Sequence, residues 1–104
     1  MHNIRDEEKT LIQLLEGNDP CARKALDYLC ARFEWDEKMR PTIHPHFIRT
    51  IYVDQYESYL WKLALDNGVC ETTLYRYRKM YINFFRKYYE RERARAEAAA
   101  TAGD

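Results

Sequence analysis

The chain has 104 residues, of which 46% are apolar and 33% charged, the make-up of one small folded domain and not of a disordered segment. Three Gly and three Pro are too few for the many turns of a sandwich or barrel. Lys and Arg number 17 and Asp and Glu 17, so a uniformly basic nucleic-acid binder is excluded while a local basic face is not. No stretch approaches the roughly 18 apolar residues of a membrane span. The segment Met1–Glu8 lacks the apolar run of a signal peptide. A cytoplasmic protein with no membrane partner is expected.

The first predicted helix carries Ile4, Leu11, Ile12, Leu14 and Leu15 on one side, and Asp6, Glu7 and Glu8 suit its first turn. Gly17-Asn18 stops it. Asp19-Pro20 restarts the chain, Asp19 as a cap and Pro20 where a missing N–H costs nothing. Ala22, Ala25, Leu26, Leu29, Cys30 and Phe33 recur at three- and four-residue steps, which predicts a second helix ending near Trp35. Residues 36–46, with Pro41 and Pro45, read as a loop. His44-Pro45 opens a third helix with Phe47, Ile48, Ile51 and Tyr52 on one side. A short strand over Ile51-Tyr52-Val53 competes with it, because short apolar runs fit both. Tyr56, Tyr59, Leu60, Leu63 and Ala64 predict a fourth helix, which Asn67-Gly68 ends. The last helix begins near Glu71 with Leu74, Tyr77, Tyr81, Phe84, Phe85 and Tyr88 as its apolar stripe, and no Gly or Pro interrupts residues 71–102. Its alanine-rich end favours helix but lacks packing residues and is expected to fray.

Charge is unevenly spread. Residues 1–70 hold nine Lys/Arg against twelve Asp/Glu, and residues 71–104 hold eight against five, so an acidic body precedes a basic segment. The stretch between the last two helices has a specific geometry. Ala64 is small where two helices must approach, Gly68 supplies the positive φ of a tight turn, Val69 plugs it from below, and Leu74 returns to the same core. This spacing describes a helix-turn-helix. The expected fold class is all-α, about five helices with a C-terminal helix-turn-helix and a long terminal helix. The chain divides into a helical N-terminal part (1–40), the helix-turn-helix module (45–92) and a tail (93–104).

The pattern Leu63-Ala64, Gly68-Val69, Thr73-Leu74-Tyr75-Arg76 resembles the helix-turn-helix of sigma-factor region 4. The closest likeness is to the small phage and prophage transcriptional regulators of the ArpU/RinA type. It covers about residues 45–89, with Phe47–Val53 similar to the helix that precedes such a module. Leu74-Tyr75-Arg76-Tyr77 also occurs in TetR-type repressors, but near their N-terminus, whereas here it lies late and runs on into Arg78-Lys79-Met80. The resemblance implies a sequence-specific binder of double-stranded DNA that regulates transcription. Thr72, Thr73, Tyr75, Arg76 and Lys79 would face the major groove, with Arg76 contacting a base. Arg78, Lys79 and Lys62 would contact phosphate. Residues 1–40 would then serve dimerisation or contact RNA polymerase. Two residues depart from the family pattern: Cys70 stands where Ser or Thr normally caps the second helix, and Glu71 suits the helix dipole but repels phosphate.

Nine tyrosines and four phenylalanines are many for this length. Tyr77, Tyr81, Phe84 and Tyr88 fall at helical spacing and read as packing. Phe85 and Tyr89 widen the stripe beyond one small core, so residues 77–89 are expected to meet a partner such as a symmetric copy. Trp61 is expected to pack between helices and Trp35 to close the second. The three cysteines read as reduced thiols, and His44 and His46 as loop residues without zinc spacing, so no metal is expected. No phosphate loop, activated nucleophile or paired carboxylates are present, so neither an enzyme nor a cofactor is expected. Two other readings compete with the regulator. One is a protein-binding module, such as a phage-encoded inhibitor of a host nucleic-acid enzyme resembling an anti-CRISPR. The other is a single-strand binder that uses the interleaved aromatic and basic residues.

Overall fold

The computed structural model describes residues 4–54 and 60–102. Helix α1 (Ile4–Glu16) ends where its sequence runs out of apolar partners. Asp19 N–H donates to the Leu14 carbonyl and Asn18 N–H to that of Leu15, which closes a Schellman motif. Asn18, not Gly17, takes the left-handed position, at φ 57°. Asp19 then caps α2 (Pro20–Arg32), accepting from Cys21 N–H at 2.8 Å and Ala22 N–H at 3.1 Å. The stop and restart thus share three residues, which folds α1 and α2 into an antiparallel pair.

Helix α2 ends at Arg32, three residues before the predicted limit. The chain then enters an ordered hairpin-like loop closed by a bridge between Trp35 and Pro41. The Asp36 carboxylate organises its tip, accepting from the backbone N–H of Lys38 and Arg40 and from Arg40 Nε at 2.8–2.9 Å. Those bonds, the backbone one from Arg40 first, hold the Asp36 carboxyl below its ordinary pKa. Trp35 therefore belongs to the loop, 47% exposed, and does not close α2.

Helix α3 (His44–Ile48) passes directly into a π-helical turn over Arg49–Val53. The strand alternative for Ile51-Tyr52-Val53 is overturned. Helical winding puts Phe47, Ile48, Ile51 and Tyr52 together in the core, with Val53 outside, whereas strand alternation would have split Ile51 from Tyr52. The wider π turn closes when Asp54 N–H reaches the Arg49 carbonyl at 2.9 Å.

Helix α4 (Leu60–Asp66) buries Leu63 and Ala64. The expected start of this helix at Tyr56 and Tyr59 lies outside the described residues. Helix α5 (Glu71–Ala102) has 32 residues, about 48 Å at 1.5 Å per residue, and spans the 53 Å long axis of the molecule. All regular elements among the described residues are helical, so the fold is all-α. No helix among them is long and apolar enough to cross a membrane.

The core explains the aromatic content of α5. One flank of α5 receives α2, with Phe33 against Phe84 and Tyr81, and Tyr28 against Tyr88. The small Ala22 and Ala25, fully buried, leave room for that approach. The other flank receives α1, where Leu11 and Leu14 meet Ile82, Phe85 and Tyr89. The breadth of the 77–89 aromatic arc is therefore accounted for by two helices of the same chain. The N-terminal part is no separate unit either, since Ile4, Leu11, Ala22 and Leu29 share one core with Phe47, Leu74 and Tyr81.

His44 is embedded in this core edge. Its ring meets Phe33, Tyr77 and Tyr81, and Nδ1 is hydrogen-bonded to the Tyr81 hydroxyl at 2.6 Å. Burial pushes its pKa below the ordinary 6.5. Below that value the unfolded chain binds the proton more readily, so the contribution of His44 to stability is full above about pH 7 and declines as the pH falls. The urea midpoint is expected to be lower at pH 5.5 than at pH 7.5. His44→Phe, which cannot titrate, should show a smaller drop.

Candidate nucleic-acid interface

The link between α4 and α5 is a second Schellman motif. Val69 N–H donates to the Ala64 carbonyl at 3.0 Å and Gly68 N–H to that of Leu65 at 3.2 Å, with Gly68 at φ 71°. Ala64 is 1% exposed and Leu74 2%, so the small residue and the returning leucine meet in the core as a helix-turn-helix requires. Phe47 of α3 packs on Tyr77 with ring centroids 6.2 Å apart, joining the preceding helix to the same unit.

The N-terminus of α5 is capped by sulfur. Cys70 Sγ accepts from Thr73 N–H at 3.4 Å and lies 3.1 Å from the Thr73 hydroxyl. These two contacts, the side-chain one first, lower the thiol pKa. Cys70 thus performs the role of the Ser or Thr it replaces. In contrast, burial raises the pKa of the Cys30 thiol.

The first two turns of α5 present Thr72, Tyr75, Arg76 and Lys79 to solvent, and α4 presents Lys62. Lys79 Nζ stands 5.4 Å from the centroid of the Tyr75 ring, which extends that side chain along the surface. None of Lys62, Arg76 and Lys79 makes an ion pair among the described residues. Thr73 is only half exposed because it serves the Cys70 cap.

Arg78 is different. Its guanidinium is turned inward, where Nε donates to Glu8 Oε2 at 3.1 Å and Nη2 pairs with Glu8 Oε1. The Tyr52 hydroxyl donates to the same Oε2 at 2.8 Å. The side chains of Arg78 and Glu8 are 12% and 2% exposed. Burial works against the Arg78 charge, but the Glu8 carboxylate outweighs it and holds the pKa above its ordinary value. The expected phosphate contact by Arg78 is corrected on this ground, because its donors are spent inside the protein.

Sequence reasoning missed Glu8 altogether. The signal was present: Glu8 lies four residues after Ile4 and three before Leu11, within the buried stripe of α1. Arg78 falls in the same way between Leu74 and Ile82. Trp61, expected between helices, is 54% exposed and lies with the 70% exposed Leu65 on the outer side of α4, opposite Leu63 and Ala64.

The electrostatic sorting of α5 arises from these contacts. Residues 72–89 contain five Lys/Arg and no Asp/Glu. Glu8 takes Arg78 and Glu7 takes Arg86, leaving Arg76, Lys79 and Lys87 directed outward. A groove lined by Ile4, Glu7, Tyr75, Lys79, Asn83 and Arg86 separates the start of α1 from this face. No group of three or more His, Cys, Asp or Glu among the described residues could hold a metal ion.

The chain is an all-α domain whose last two helices form a helix-turn-helix, the second of them unusually long. No protein-family model, curated protein or solved structure matches it.

Proposed function

We propose that this chain is a sequence-specific double-stranded DNA-binding transcriptional regulator of phage or prophage type, with a sigma-factor region 4-like helix-turn-helix. One observation carries the reading. The first two turns of α5, held by a Schellman turn over a buried Ala64–Leu74 contact, expose Thr72, Tyr75, Arg76 and Lys79, with both cations unpaired among the described residues. A recognition helix enters the major groove by this end. Arg76 is the base-reading residue, since a guanidinium meets guanine O6 and N7 with two hydrogen bonds. Thr72 touches phosphate or a thymine methyl, and Lys62 and Lys79 hold the backbone.

The test is selection from a random duplex library at 50 and 200 mM salt, with Arg76→Ala/Lys79→Ala alongside. A discrete sequence should be enriched, and the double variant should bind it about 100-fold more weakly. Enrichment of no sequence at either salt overturns the proposal.

A second reading rests on a different observation. Trp61 and Leu65 form an exposed apolar pair on α4 beside Lys62, and Glu71 places a negative charge at the start of α5. A protein-binding module, such as an inhibitor of a host nucleic-acid enzyme, would use such a surface. Trp61→Ala separates the two, weakening a protein complex while leaving the DNA salt slope unchanged.

A further inference from the structure

The outer flank where α2 meets α5 carries a second concentration of positive charge that the helix-turn-helix does not use. Tyr28 and Tyr88 stand with ring centroids 5.9 Å apart, and Phe84 lies one turn before Tyr88, at 6.1 Å. Three cations lie over these rings. Arg32 Cζ is 5.4 Å from the Phe84 centroid, Lys87 Nζ is 5.8 Å from the same ring, and Arg91 Cζ is 5.1 Å from that of Tyr88. Lys24 is exposed one turn before Tyr28 on α2.

Arg32 and Lys87 therefore converge on one ring from two different helices. Among the described residues neither they nor Lys24 or Arg91 form an ion pair. The nearest acids of α2 and its exit, Asp27 and Glu34, line a groove with Arg49 and Pro45 on the other flank. Glu90 is exposed on α5 and pairs with none of the four. The rings hold the cations in place, but they do not cancel repulsion between like charges. An approaching polyanion would.

We propose that this flank binds the phosphate backbone of duplex DNA, independently of sequence; this rests on the DNA-binding reading above and extends its contact surface. Two features favour nucleic acid over an acidic protein. The cations form a row and not a pocket, and Arg76, Lys87 and Arg91 share an arc of about 60° on α5 at 3.6 residues per turn, over about 22 Å. Base stacking by a single strand is disfavoured, because cations occupy the faces of Phe84 and Tyr88.

The test measures binding of a labelled random-sequence 30-bp duplex by anisotropy across 50–200 mM salt. The proteins are wild type, Arg32→Gln/Lys87→Gln/Arg91→Gln, and the charge-keeping Arg32→Lys/Arg91→Lys, each checked for helix content by circular dichroism. The triple variant should lose at least about tenfold in affinity at low salt. Its log K against log[salt] slope should be shallower by about 2–3, near 0.9 for each phosphate released. The charge-keeping variant should retain the wild-type slope. A triple variant with wild-type affinity and slope overturns the proposal, as does polyglutamate competing as well as unlabelled duplex of equal charge. If the triple variant loses slope but no sequence is selected from the library, this flank stands and the sequence-specific reading falls. If only Arg76→Ala/Lys79→Ala weakens binding, the reverse holds.

Discussion

Glu8→Ala is expected to cost about 3–5 kcal/mol of folding stability, because it leaves the buried guanidinium of Arg78 without its counter-charge. That is a large share of the roughly 5–15 kcal/mol that holds a small domain together. It also strips the Tyr52 hydroxyl of its acceptor, and Tyr52 is 1% exposed. Arg78→Ala should be damaging for the mirror-image reason, the orphaned carboxylate. The informative variant is Glu8→Leu/Arg78→Met, which removes both charges and keeps the volume. It should lose far less than the two single losses added together, since two buried charges that cancel contribute little beyond a well-packed apolar pair. Urea denaturation of the four proteins gives the coupling directly. Equal costs for the double variant and the summed singles would show that the pair is not the origin of the effect. The same series bears on function. Loss of DNA binding in Arg78→Ala should track loss of fold, whereas Arg76→Ala should bind poorly while unfolding at the wild-type midpoint.

Phe47→Ala is the second large effect, at about 3–5 kcal/mol. Phe47 is fully buried, comes just after the Pro45 turn, and packs its ring against Tyr77. Truncation opens a cavity between α3 and α5, and neither neighbour can collapse into it easily. On one side α3 is tied into the π turn that places Ile51 and Tyr52, and on the other α5 is clamped by α1 and α2. Phe47→Leu, which fills most of the space, should recover the greater part. A cost below about 1 kcal/mol for Phe47→Ala would mean that α3 is not packed against α5 as described. Because α3 supports the helix-turn-helix from beneath, Phe47→Ala should also weaken DNA binding at temperatures where the protein is still mostly folded.

The local punctuation of the chain was legible in its residues. Gly17-Asn18, Asp19-Pro20 and Asn67-Gly68 act through their own backbone preferences and near neighbours, so their turns could be read without knowing the rest. The apolar stripes of α1, α2 and α5 were equally plain, and with them the all-α class and the spacing of the helix-turn-helix. The short run Ile51-Tyr52-Val53 was ambiguous because three residues fit a helix or a strand, and only the neighbours that cover Ile51 and Tyr52 decide between them.

By itself, then, the sequence determined where helices start and stop and which side of each turns inward, because those depend on contacts within about four residues. Only the tertiary structure decided which charges are spent and which are free. Arg76, Arg78, Lys79, Arg86 and Lys87 are alike as a string of basic residues on one helix. Their fates differ because α1, some 70 residues away in the chain, brings Glu8 to Arg78 and Glu7 to Arg86. The same distance explains the breadth of the aromatic arc, which one helix leaves open and two partners from the distant N-terminus cover. Charge pairing and burial are properties of neighbours in space, and for α5 those neighbours are supplied from the opposite end of the chain.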